Sequence, residues 1–330
     1  MPEEKEFKGL EPHPTWEIID SSKLQTFMEC PRLYFYKYIL GWTSDAPRHD
    51  LIFGEAFHAG LETLYTHGFG KDSLELAKLT MEDLYSESFG EEAADIYYPK
   101  SIGNAKEALE LYVRTYSDEF RRYEVIQLPD GSPFVEVAGY VPIGDGLRLH
   151  FRIDTGLRDL STGLCFPLEH KTASRGGAMW LDQWPLSMQV GTYTHAFYCL
   201  FPPEEVYGAR VNGIIFLKRG TEFMRCPCSK TPTQMEVWRS TANITAAEIV
   251  ENTSILQANV EYLSALAVLP VFPLRPVSCT RWGTCAFHDY CMSWANPLTR
   301  CEEPPMGFHQ EFWNPAARRH TKEIDLTKKD

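Results

Sequence analysis

Leu149-His150-Phe151-Arg152-Ile153-Asp154 and Leu164-Cys165-Phe166-Pro167-Leu168-Glu169-His170-Lys171 are the two stretches that decide the fold. Both alternate with period two, as half-buried β-strands do. In the first, Leu149, Phe151 and Ile153 share one face, and Asp154 shares the other with His150 and Arg152. In the second, Leu164, Phe166 and Leu168 point one way; Glu169 and Lys171 point the other. Paired, the strands bring Asp154, Glu169 and Lys171 onto one surface. Two carboxylates supply hard oxygen ligands for Mg²⁺ or Mn²⁺, and such an ion acidifies water and neutralises charge building on a phosphate. Lys171 is then placed to orient or deprotonate that water, or to stabilise the transition state. Taken alone, the same pair is better explained by surface ion pairs on an exposed strand.

Outward from these strands, the turn residues Gly144-Asp145-Gly146 join the first to an alternating stretch over 134–141, a hairpin signal. Towards the N-terminus the pattern is helical. Ser22 and Gln25 fit a capping box, Pro31 interrupts or restarts that helix, and Gly41 stops it. Further helices are predicted over 54–65, 73–88 and 105–123, and beyond the strands over 184–201 and 246–269. Strands are expected over 210–218 and 234–239, with Cys226 and Cys228 in the connection between them. Pro167 cannot donate a ladder hydrogen bond, so its strand is bulged or lies at an edge there. The simplest architecture is α/β: a central mixed β-sheet flanked by helices, with a helical insertion over 66–130. Residues 1–15 and 302–330 read as polar tails around one domain over 16–301.

Composition narrows the class. The chain has 330 residues, 44% hydrophobic and 23% charged, enough for a sizeable core. No run of 18 apolar residues suggests a membrane span, and the polar N-terminus has no secretory h-region. Nine cysteines cannot all pair within one chain, and a reducing, cytoplasmic compartment is expected. A net charge of −13 argues against a passive DNA coat but leaves room for a local basic groove.

Further residues complete an ordered set: Ser22-x-Leu24-x-Thr26-Phe27-x-x-Cys30-Pro31-x-x-Tyr34, Gly54-x-x-x-His58, Asp154, Glu169-His170-Lys171-Thr172, and Gln189-x-x-x-Tyr193, closed by a cysteine triplet. With these pieces the chain resembles the PD-(D/E)xK nuclease superfamily, in its RecB-like branch, and is similar to versions found in phage genomes. The resemblance spans residues 21 to 291. It implies a restriction-endonuclease-like core. His58, Asp154 and Glu169 would be metal ligands, joined by the backbone carbonyl of His170, and Lys171 would be the catalytic lysine. Gln189 and Tyr193, one turn apart on a helix, would lie beside the site and touch DNA. An imidazole ligand makes the site more hospitable to Mn²⁺ than an all-oxygen one. Where many members have glycine three residues before the aspartate, this chain has Phe151.

Cys279, Cys285 and Cys291 cluster near the C-terminus, and Cys30 lies far upstream. Four thiolates suit a [4Fe–4S] cluster, and the resemblance implies one that staples both ends of the domain in a cap over 270–301. The family's commoner spacing has two residues between the first two clustered cysteines; here there are five. Zinc is an alternative, His288 a substitute ligand, and free, partly buried thiols in a loop the reading that the cysteine density disfavours. Either metal would close a loop of about 250 residues. Cys226 and Cys228 receive no role.

The function implied by the resemblance is a divalent-metal-dependent deoxyribonuclease, an exonuclease on single-stranded DNA or DNA ends in recombination, repair or replication. No G-x-x-x-x-G-K-[ST] motif occurs, so unwinding would fall to a helicase or recombination protein as partner. Basic residues such as Arg175, Arg225, Lys230, Arg275 and Arg281, and Trp180, Trp184, Trp238 and Trp282, are candidates for lining a strand's path. The host-cell cytoplasm is the expected location if the chain is phage-encoded. A non-catalytic, cluster-stabilised DNA-binding or scaffold module is the alternative, and a cysteine-based redox or zinc protein a third.

Overall fold

The expected hairpin forms around Asp145-Gly146, whose φ values of +52° and +75° suit a tight two-residue turn. The structure, a computed structural model, describes residues 9–281 and 283–327. Its helices are α1 (Ser21–Glu29), α2 (Pro31–Tyr34), α3 (His49–His67), α4 (Lys71–Ser86), α5 (Ala93–Ile96), α6 (Ile102–Thr115), α7 (Glu119–Arg122), α8 (Ala178–Asp182), α9 (Met188–Leu200), α10 (Pro232–Ala258), α11 (Val260–Ser264) and α12 (His288–Ser293). The strands are β1 (Trp42–Ser44), β2 (Tyr123–Val125), β3 (Val135–Gly144), β4 (Leu147–Asp159), β5 (Cys165–Ala173), β6 (Ala209–Leu217), β7 (Gly220–Cys228), β8 (Phe308–Gln310) and β9 (Lys322–Asp325). The chain divides into two compact units. One combines the N-terminal segment up to Ala46 with Pro142–His150 and Val237–Arg318; the other combines Pro47–Val141, Phe151–Glu236 and the segment from Arg319.

The second unit is built on a sheet of order β7-β6-β5-β4-β3-β9, with β2 also paired to β4. It is mixed: β4–β5 and β6–β7 are antiparallel, β5–β6 and β3–β9 parallel. The parallel β5–β6 pair needs a crossover, and α9 lies in it. Alternation on β6 serves both faces. Ile214 and Phe216 join Phe166 and Leu168 under α3, α4 and α6, where Phe53, Phe57, Leu61, Met81 and Leu109 fill the core. Val211 and Ile215 face Trp180 and Val190 instead. A Cβ on Gly213 would meet the Trp180 ring at 2.5 Å, so only glycine lets that indole lie on the strand. Helices thus flank the mixed sheet on both sides, the α/β class expected from sequence. At Pro167 the parallel ladder has not begun, since β6 pairing starts at Leu168↔Arg210; the missing N–H costs nothing there.

The first unit is aromatic at its centre. Tyr34 stacks on Phe272, and Tyr36 lies between Trp42 and Phe287. Cys30 separates α1 from α2 in an extended conformation, with Pro31 restarting the helix. The chain then continues as a short π-helix, Phe35–Ile39.

Several expectations are corrected. The α1 cap is Asp20, whose carboxylate accepts from the Lys23 N–H at 2.8 Å, not Ser22. Residues 234–239 are helix rather than strand: Thr231 and Gln234 cap each other reciprocally, and Met235, Trp238, Ala242, Ala246 and Ile249 form the buried stripe. Cys226 and Cys228 lie within β7, opposite Val211 and Ala209, not in a connection. The predicted helix over 184–201 begins only at Met188. Residues 302–330 are not merely a tail, because β8 pairs with β1 and β9 extends the main sheet beside β3. Lys322-Glu-Ile-Asp325 is too polar to read as a strand, but backbone pairing at a charged edge requires no apolar face.

Candidate active site

His58 reaches the site from α3. Gly54, one turn earlier, lies against β5, where a Cβ would meet Thr172 Oγ1 at 3.4 Å, an ordinary contact. The β4–β5 ladder ends at Thr155↔Leu168, one residue short of Asp154 and Glu169. His58 Nδ1 lies 3.5 Å from Asp154 Oδ2. That same oxygen accepts the His170 backbone N–H at 2.7 Å. Glu169 is only 3% exposed. Its Oε1 accepts from Lys171 Nζ at 2.5 Å and from Gln189 Nε2 at 2.9 Å, whereas Oε2 has no hydrogen-bond partner. Lys171 itself is 31% exposed and can meet a substrate.

The electrostatics follow from burial and proximity. Burial alone would raise Asp154, but the His58 imidazolium outweighs it and holds the carboxyl well below its usual range. Against the same burial, Asp154 raises His58 to about 8. Glu169 is raised to about 7 by burial and then by Asp154, with Lys171 offsetting part. The His170 ring, buried and bonded to Asn212 at 2.9 Å, is lowered to about 3 and stays neutral.

Glu136 on β3 was not singled out from sequence. It is 6% exposed, has φ +49°, and lies 3.4 Å from Arg152 Nε. His58, Glu136 and Asp154 offer ligand atoms all within 4.8 Å of one another, the one such group of three among the described residues. In Phe134-Val135-Glu136-Val137 its alternation resembles any solvent-facing strand position, so no sequence signal marked it. A crowded acidic pocket with an orphaned Glu169 oxygen fits a bound divalent cation: like charges this close are unfavourable unless a cation joins them. Glu169 and the His170 imidazole both stand outside that group of three, and the His170 backbone N–H orients Asp154.

Gln189 and Tyr193 lie beside the carboxylates but turn inward. Gln189 Nε2 donates to the Tyr193 hydroxyl at 2.8 Å as well as to Glu169. At 5% exposure Tyr193 offers no face to a nucleic acid in this arrangement. Other candidates for a nucleic-acid path are used internally. Arg225 pairs with Glu119 at 3.1 Å and lies over Tyr116, Lys230 donates to the Pro185 carbonyl and Arg275 to the Met28 carbonyl, and Trp180 and Trp238 are buried. Trp282 lies outside the described residues.

The four cysteines singled out fall in the first unit. Ser278 Oγ donates to the Glu29 carbonyl at 2.6 Å, and Arg32 donates through its backbone N–H to the Pro273 carbonyl and through Nε to the Phe272 carbonyl. These bonds bring the chain before Cys279 to the α1–α2 junction at Cys30. The Cys285 N–H donates to the Cys279 carbonyl at 2.8 Å. Burial raises the Cys285 thiol, with Cys279 and Cys30 adding to it, and pushes Cys291 to about 11 with Cys30 and Cys285 contributing. The four cysteines thus lie close enough to act on one another electrostatically.

A mixed sheet carrying a histidine, buried carboxylates and a lysine defines a metal-dependent nuclease core. The family model of the PD-(D/E)XK nuclease superfamily matches residues 21–292, and the chain belongs to that superfamily. Its members are nucleases that use divalent metals. None of the curated proteins matches. Among solved structures, SSO0001 is similar at 17% sequence identity over 52% of this chain and 69% of that one, with a TM-score of 0.28. Among the described residues, no helix is long and apolar enough to cross a membrane.

Proposed function

We propose that the chain is a deoxyribonuclease acting as an exonuclease on single-stranded DNA or DNA ends, in recombination, repair or replication. The observation that carries this reading is the convergence of His58, Asp154 and Glu169 with Lys171, 2.5 Å from Glu169. Asp154, Glu169 and His58 would hold Mg²⁺ or Mn²⁺. Such an ion supplies charge neutralisation at the phosphate and acidifies water. The chain's own residues do the rest. The His170 N–H fixes the Asp154 carboxylate, and Gln189, braced on Tyr193, fixes Glu169. Lys171 orients the attacking water and meets the developing negative charge as the new P–O bond forms and the 3′-oxygen leaves. A helicase or recombination protein would supply single strands.

For the cysteines, the proposal is a structural [4Fe–4S] cluster on Cys30, Cys279, Cys285 and Cys291. Tetrahedral zinc on the same four thiolates is the alternative; visible absorbance of the purified protein separates the two.

The test is degradation of end-labelled linear single strands and of circular single strands with Mn²⁺ or Mg²⁺, using protein purified without oxygen. Loss of the linear substrate with survival of the circle is expected. Cleavage of the circle would make the enzyme an endonuclease. Absence of metal-dependent cleavage by folded protein would favour a non-catalytic DNA-binding module.

A further inference from the structure

We infer that Glu136 is a ligand of the divalent cation, added to the histidine and the two motif carboxylates from a strand that carries no motif. This rests on the metal-dependent reading above. Geometry is its first support. Two ligands of one Mg²⁺ at about 2.1 Å lie at most about 4.2 Å apart, and His58, Glu136 and Asp154 already have ligand atoms within 4.8 Å of one another. The second support is independent. Glu169 Oε2, on a residue 3% exposed, accepts no hydrogen bond, and its charged neighbours include Asp154 and His58. An acceptor left bare in the interior is costly unless something positive fills the space.

A purely structural Glu136 would serve only as the partner of Arg152. That contact is 3.4 Å long, with Arg152 24% exposed and its Nη1 donating to the Arg319 carbonyl. A guanidinium partner does not require a second carboxylate beside Asp154, where like charges repel. A shared cation accounts for both carboxylates. Arg152 then only offsets the Glu136 charge while the site is metal-free. Three carboxylates and an imidazole form a ligand set that suits Mn²⁺.

The test is Mn²⁺ binding to the metal-free full chain, read by the electron paramagnetic resonance of free Mn²⁺, for wild type, E136Q, E136D and R152M. Thermal unfolding of each metal-free form reports folding. As a ligand, Glu136 gives E136Q about ten-fold or greater loss of Mn²⁺ affinity in a folded protein, by comparison with the 10–100-fold typical even of residues behind a ligand. E136D, with its shorter reach, is also weakened, whereas R152M keeps its affinity within about three-fold. Folded E136Q binding Mn²⁺ within two-fold of wild type would overturn the inference. So would R152M losing as much affinity as E136Q, because the two would then act only as a pair. None of these readouts uses DNA cleavage, so failure of the nuclease reading and failure of this one remain separate results.

Discussion

The two groups of candidate metal ligands are held in different ways. The histidine–carboxylate group stands on regular elements: His58 on α3, Glu136 on β3, Asp154 on β4, Glu169 on β5. Its carboxylates are already fixed by the His170 N–H, Lys171 and Gln189. The cysteine group stands mostly on short turns and loops, with Cys279, Cys285 and Cys291 only half-buried. Backbone and side-chain contacts gather those segments at the Cys30 junction. A catalytic cation needs a site formed before it arrives, because geometry sets the rate. A structural group instead supplies the order itself, as folding-coupled metal sites do.

The contrast predicts independent failures. Asp154→Asn should abolish cleavage and remove most Mn²⁺ affinity while leaving intact the visible absorption that the proposed cluster would give. Any loss of absorption would show the two sites to be coupled. Conversely, Cys279→Ser should lose that absorption and lower the thermal midpoint by about 5 °C or more. The protein that stays folded should still bind Mn²⁺, as paramagnetic resonance would show.

Gln189→Ala tests how far the carboxylates depend on their supports. Losing a hydrogen bond to a charged acceptor costs about 1.5–3 kcal/mol, so kcat should fall roughly ten-fold or more with little change in KM. A change confined to KM would instead place Gln189 on the DNA.

The smallest effect concerns pH. His58 is raised to about 8, so its stabilisation is complete below its ordinary 6.5 and is lost as pH rises through 8. Glu169 and Glu136, raised to about 7 and about 8, disfavour the fold increasingly as pH climbs above their ordinary 4.5 and forces them to ionise. Asp154, held low, keeps its contribution down to strong acid. The signs agree: the metal-free thermal midpoint should fall by a few degrees between pH 5 and 8.5. Saturating Mn²⁺ should flatten the slope, since binding expels those protons. A midpoint that rises over this range without metal would contradict the electrostatics.

The core strands were legible because alternation is a local rule, and it located β4 and β5. His58, Asp154, Glu169 and Lys171 were singled out by the resemblance, and the structure draws His58 to Asp154 and Lys171 to Glu169. What escaped depends on distant partners. Glu136 gains meaning only from His58 and Asp154, which lie far from it in sequence. The polar strand β9 needs β3 to exist. Residues 234–239 read as a strand because the capping pair Thr231 and Gln234 went unrecognised. Tyr193 shared a helix face with Gln189 as expected, but periodicity does not show whether a face looks outward or toward a buried carboxylate.

The most direct test of the central claim measures Mn²⁺ binding and single-strand cleavage on the same samples of wild type and Lys171→Ala. If the histidine and carboxylates hold the cation and Lys171 acts on the reacting phosphate, the variant binds Mn²⁺ like wild type and cleaves about 10²–10⁴-fold more slowly. A Lys171→Ala protein that binds Mn²⁺ and cleaves at the wild-type rate would contradict it.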